Sequence, residues 1–144
     1  MAGVEEVERE LTRFLRRARR ASRGLAGQVH PELDAAGYAV LVVVEEESRI
    51  DPVRSGEVAT VLGLHKSQVS RSLAGLEALG LIRQHPDPDD GRARLVDLTP
   101  AGRDALTRAR TGRRAELTSK LDGWTQQDLV ALARLLGRLN DDLD

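Results

Sequence analysis

Two groups of side chains in this sequence are arranged to do chemistry. In the run HKSQVSRSLAGLEALG, Lys66, Ser67, Gln68, Ser70 and Arg71 follow closely with no acid among them. A helix that enters the major groove of DNA needs short side chains where it approaches closely and a few long donors near its N-terminal end. Arg71 can fork onto guanine and Gln68 onto adenine, whereas Lys66, Ser67 and the helix N-terminus suit phosphates. The second group lies in HPDPDDGRARLVDLTPAGR, where Arg92 and Arg94 follow Asp87, Asp89 and Asp90. An arginine at such a turn can drop into a narrow minor groove, where negative potential is deepest over A·T tracts. Arg92 is placed for that role. An aspartate accepting from Arg92 or Arg94 would stiffen the turn, and Arg54, Ser55 and Asp90 complete the set expected at a duplex.

No comparable case exists for catalysis. His30, His65 and His85 are scattered, and there is neither an HExxH motif nor a Gly-rich phosphate loop. The chain has 0 cysteines, which excludes disulfides, thiolate metal sites and thiol catalysis. No catalytic residue, metal ligand or cofactor is expected, and a lone histidine is more often structural than a zinc ligand.

The elements that must position these groups are legible in the periodicity. Val4, Val7, Leu11, Phe14, Leu15, Ala18, Ser22 and Leu25 form one apolar stripe on a first helix, with glutamates leading and arginines following in accord with the helix dipole. Gly24, Gly27 and Pro31 are expected to end it. A second helix carrying Leu33, Tyr38, Leu41, Val42 and Val44 is apolar nearly all round and therefore central, until RIDPVRS breaks it. Ser55 is an expected N-cap for SGEVATVLGL, and Gly63 separates that helix from one with Val69, Leu73, Leu76 and Leu79 inward and Gly80 closing it. That is a helix-turn-helix pattern. LIRQH and RLVDL read as a hairpin around the acidic turn. Thr99 and Pro100 open a long, polar, arginine-rich helix, and Thr125 with Asp128 opens a last one bearing Leu129, Leu132, Leu136, Leu139 and Leu143.

A solvated surface helix followed by an ordinary exposed hairpin is the bland account of the middle of the chain. Two facts weigh against it: the helix face lacks the usual Glu/Lys mixture, and arginines sit at the very next turn. Helix-turn-helix plus hairpin is a winged helix, so the expected class is mainly α with a small β-hairpin wing (α+β).

These residues resemble the multiple antibiotic resistance regulator (MarR) family of winged-helix transcription factors. The likeness spans almost the whole chain, and the wing motif Asp90-x-Arg92 running into Leu98, Thr99 and PAGR carries it most specifically. The resemblance implies one domain over 1–144, with a winged-helix DNA-binding lobe at 32–100 and dimerisation helices at 4–28 and 101–144. It implies a homodimeric repressor on a pseudo-palindromic operator of double-stranded DNA, released by a small phenolic or amphipathic effector. A cytoplasmic location is expected separately, because the apolar run Tyr38 to Val44 is far too short to span a bilayer and MAGVEEVERE is acidic where a signal peptide would be basic. Phe14, His30 and Tyr38 are the candidate effector contacts, because they fall where the first two helices should meet the DNA-binding lobe. The dimer also has a physical basis, since the stripes of the first and last helices are too long to cover within so small a chain.

Some residues depart from the family pattern. His65 stands where a serine or threonine usually caps the recognition helix, and Gly75, Gln84 and Asp97 each replace a common basic residue. From Arg54 to Arg103 there are 7 basic residues against 6 acids, so non-specific DNA binding should be weak with a shallow salt slope. The competing reading uses the 7 arginines between Arg9 and Arg23 as a basic amphipathic helix on an anionic membrane surface or RNA. It is disfavoured, because the apolar face lacks interfacial aromatics and the leading glutamates oppose anionic lipid. No membrane association is expected.

Overall fold

A computed structural model describes residues 2–143. In chain order the elements are α1 (Ala2–Val29), α2 (Ala35–Glu47), β1 (Val53–Arg54), α3 (Ser55–Leu62), α4 (Lys66–Ala78), β2 (Ile82–Pro86), β3 (Arg94–Leu98), α5 (Pro100–Lys120) and α6 (Gln126–Leu143). They divide into two compact units, residues 1–110 and 111–144.

In the first unit the apolar stripes converge on one cluster. α2 supplies Val40, Leu41, Val43 and Val44; α4 supplies Val69, Leu73 and Leu76; Ile82, Val96, Leu98 and Leu106 close it from the sheet and α5. This explains why α2 is apolar nearly all round, since it is surrounded. Asp34 caps it, its carboxylate accepting from the Gly37 amide at 2.7 Å.

α1 runs past Gly24 and Gly27, where the sequence suggested an end. Both glycines face open space and weaken the helix by about 0.5–1 kcal/mol each relative to alanine. Ala26 and Val29 are nevertheless buried, and that burial requires the helix to continue.

The helix-turn-helix forms as its spacing predicts, with one shift. The N-cap of α3 is Arg54 rather than Ser55, and the Glu57 carboxylate accepts from the Arg54 amide at 3.3 Å. Ser55 is the first helical residue. Gly63 adopts φ 63° and Gly80 φ 76°, the left-handed region that lets the chain leave α3 and α4. After Gly80, the Leu81 amide returns to the Leu76 carbonyl at 3.0 Å.

The hairpin is part of a three-stranded antiparallel sheet ordered β1-β3-β2. β2 and β3 pair from Ile82↔Leu98 to Pro86↔Arg94, and Val53 and Arg54 add a short edge opposite Val96 and Leu95. That edge was absent from the sequence reading, because 2 residues are too few to show alternation.

Thr99 fastens α5 to the end of α4. Its hydroxyl donates to the Gly80 carbonyl at 2.6 Å and accepts from the Gly102 amide at 3.0 Å. Its own amide donates to the Leu81 carbonyl at 3.1 Å. A Cβ on Gly102 would sit 2.0 Å from that same carbonyl oxygen, so only glycine permits the approach. Gly102, Ala105, Leu106 and Ala109 are all buried. The compact unit of residues 1–110 therefore extends beyond 32–100 on both sides, taking in α1 and the first half of α5. Arg110 grips Glu45 of α2 through both guanidinium nitrogens.

In the second unit, α6 begins with the reciprocal cap its sequence predicts. The Asp128 amide donates to the Thr125 hydroxyl at 3.2 Å, and the Thr125 amide donates to the Asp128 carboxylate at 3.1 Å. Hydrogen bonds from the Thr125 hydroxyl and amide hold the Asp128 carboxyl below the usual range. No residue of α6 is buried. Among the described residues, no helix is long and apolar enough to cross a membrane.

Candidate nucleic-acid interface

The recognition face is built by periodicity. Val69, Leu73 and Leu76 bury one side of α4, which turns Lys66, Ser67, Ser70, Arg71 and Ala74 outward, all exposed. Gln68 is exposed as well, but its amide oxygen accepts from the His65 backbone amide at 3.2 Å. Half of its hydrogen-bonding edge is thus committed to the start of the helix, and reading an adenine with both ends would break that cap.

The wing turn is closed by its own backbone and carboxylates. The Asp87 amide donates to the Ala93 carbonyl at 3.0 Å and the Ala93 amide to the Asp90 carbonyl at 2.9 Å. The Asp89 amide donates to the Asp87 carboxylate at 2.9 Å, and the Arg92 amide to the Asp90 carboxylate at 3.1 Å. Asp90 does accept from Arg92, through the backbone rather than the guanidinium, which stays exposed.

Arg54, Ser55, Lys66, Ser70, Asp90, Arg92 and Arg94 together line one cleft of about 560 Å³. It lies between the first turns of α3 and α4 and the wing. Gln68 and Arg71 line a second cleft of about 580 Å³ on the other flank of α4, against Glu32 to Gly37. Ser67 lines neither and remains on the exposed crest. The three residues proposed for an effector are not brought together in either cleft. Phe14 is 59% exposed on α1, Tyr38 packs at the margin of the core, and the His30 ring nitrogen Nδ1 accepts from the Glu32 amide at 3.1 Å.

Several acids around the cleft are engaged internally. Asp87 Oδ2 pairs with Arg54 Nη2 at 2.7 Å, and Arg83 Nε pairs with Asp97 across the strands at 3.2 Å. Glu77 accepts from the Gln84 amide at 2.8 Å, tying α4 to the outer edge of β2. Lys66, Arg71, Arg92, Arg94 and Arg103 have no ion-pair partner among the described residues. Of the acids in this region, Asp87 and Asp97 are ion-paired, whereas Glu57 and Asp90 line the cleft and take only backbone amides among the described residues. Sequence reasoning missed Asp87 as a partner of Arg54, since nothing in the spacing of residues so far apart announces the pair.

Comparison with known proteins matches this geometry. Residues 33–93 match the MarR family. The whole chain is also similar to the uncharacterized HTH-type transcriptional regulator YxaD of Bacillus subtilis (strain 168), 33% identical over 137 residues, covering 95% of this chain and 92% of that one. The chain belongs to the MarR family. Its fold is shared with a MarR family protein from Bacillus stearothermophilus at a TM-score of 0.83 and 18% identity, over 99% of this chain and 96% of that chain. Streptococcus pneumoniae FabT, solved in complex with DNA, superposes at a TM-score of 0.74 and 19% identity over 97% and 96% of the two chains. As a MarR-family member the chain is a DNA-binding transcriptional regulator, and the family's members are regulators rather than enzymes.

Proposed function

We propose that this regulator is a homodimeric repressor that reads a pseudo-palindromic operator, with α4 in the major groove and the wing arginines at the adjoining minor groove. The observation that carries the reading is the shared cleft. Lys66 and Ser70 from the recognition helix face Arg92 and Arg94 from the wing across a single groove walled by the start of α3. A phosphate strand entering it meets cations from both sides, and such contacts fix register while Arg71 reaches a base edge. FabT, which shares the fold, is itself solved in complex with DNA. The homodimer is supported by the apolar stripes of α1 and α6, which leave Val4, Val7, Phe14, Leu135 and Leu136 exposed, together with the two-fold logic of half-sites about one helical turn apart.

Selection of bound duplexes from a random pool, followed by mobility shifts, tests the reading. Arg71→Ala should lose about 1–3 kcal/mol on the selected operator and relax preference at one base position. Equal weakening on every sequence would remove Arg71 as a base reader. Arg92→Ala should weaken binding most where A·T-rich sequence flanks the half-sites.

A further inference from the structure

We propose that Asp87 is a positioning residue for DNA binding: its buried carboxylate locks the wing turn to the β1–α3 corner and so sets where Arg92 and Arg94 stand across from Lys66. The proposal rests on the reading of that cleft as the duplex-binding face.

Asp87 is the only charged side chain buried among the described residues, at 6% exposure. A carboxylate is expensive to bury unless its oxygens are occupied, and these are. One takes the Arg54 guanidinium at 2.7 Å and the other the Asp89 amide at 2.9 Å. The Asp87 backbone amide also donates to the Ala93 carbonyl at 3.0 Å, at the far side of the turn. One residue therefore fastens three segments: the corner entering α3, the outgoing limb of the wing and its return. The hydrogen bond from the Asp89 amide, aided by Arg54, outweighs burial and holds the carboxyl below the usual range. It stays charged wherever DNA binding is measured.

Arg54 is 47% exposed on its other side and forms part of the cleft wall. Its guanidinium is thus aimed by Asp87 rather than left to wander, and the wing cannot swing away without breaking the pair. Arg92 and Arg94 have no ion pair of their own, so the turn that carries them is what places them.

Electrostatics and positioning predict opposite signs for one substitution. Removing an acid from a DNA-binding face should tighten binding to any duplex, because it adds positive charge. If Asp87 positions the wing, Asp87→Asn instead loosens the operator complex, by roughly tenfold, while affinity for random duplex holds or rises. The loss should also vanish in an Arg92→Ala background, because the clamp acts through the wing arginine. Titrations of the full-length protein against the selected operator and a random duplex, with circular dichroism to check folding, provide the test. Equal or tighter operator binding by Asp87→Asn overturns the proposal, as does an undiminished loss in the Arg92→Ala background. Should Asp87→Asn fail to fold, Arg54→Gln replaces it: a loss concentrated on the operator supports the clamp, and an equal loss on operator and random duplex overturns it. The wild-type titration comes first. Binding to no duplex at all would overturn the reading of the cleft and the clamp with it, a result distinct from failure of the clamp alone.

Discussion

Leu73 in α4 and Leu136 in α6 are the same residue type on the apolar stripe of an amphipathic helix, yet Leu73 is fully buried and Leu136 is 43% exposed. Around α2, α4 and the root of α5 the chain covers its own apolar faces, and Val40, Leu41, Val44, Val58, Leu73 and Leu106 all disappear from solvent, whereas Val4, Val7 and Phe14 of α1 stay exposed. Beyond Arg110 it does not, and no residue of α6 is buried. The contrast teaches that a stripe shows which face must be covered and is silent on what covers it. A helix with its leucines in water gains little from propensity alone, which is why the second unit directs attention to another copy of the chain.

That contrast can be broken by truncating the same residue on each side of it. Leu73→Ala should cost about 2–5 kcal/mol in urea unfolding, as for other core leucines that leave a cavity. The loss should be the same at low and high protein concentration; a loss that shrank on concentration would mean the core around Leu73 is also completed from outside. Leu136→Ala should instead act on self-association. If a second copy covers it, about 1.5–3 kcal/mol is at stake, roughly tenfold or more in dissociation constant, read by sedimentation. An unchanged dimer fraction would remove α6 from the interface.

Two glycines sharpen the comparison. Gly102→Ala drives a Cβ to within 2.0 Å of the Leu81 carbonyl oxygen, and the displaced α5 should cost about 1–3 kcal/mol. Gly137 in α6 meets nothing within 4 Å. Gly137→Ala should therefore gain about 0.5–1 kcal/mol by thermal melting, the ordinary benefit of alanine inside a helix. A loss there would reveal another helix crossing close to residue 137.

Much of the fold was legible because its signals are local. Thr99 capping α5, Thr125 and Asp128 capping α6, and Gly63 and Gly80 as left-handed exits each depend on a few neighbouring residues. What escaped depended on distant ones. Gly24 and Gly27 read as an ending, but Ala26 and Val29 must reach the core, and tertiary burial outweighed propensity. Arg54 caps α3 in place of Ser55 because strand pairing with Leu95 fixes its extended backbone. In the interface, the outward residues of α4 and the two wing arginines followed from period and turn chemistry. The commitment of Gln68 to His65 and of Asp87 to Arg54 did not, because composition counts charges without showing which are already engaged. The balance of 7 bases against 6 acids is unchanged by the pairs Arg54–Asp87 and Arg83–Asp97, since each removes one charge of either sign.

The seam where Thr99 and Gly102 meet the turn after α4 has a mechanical corollary. Side chains slide and repack, but backbone held against backbone has no play. Gly102 rests on the Leu81 carbonyl with room for nothing larger than hydrogen, while Thr99 stitches the same turn through the Gly80 and Leu81 carbonyls. A tilt at the root of α5 would arrive at the reading helix undamped, as a crank turns its shaft.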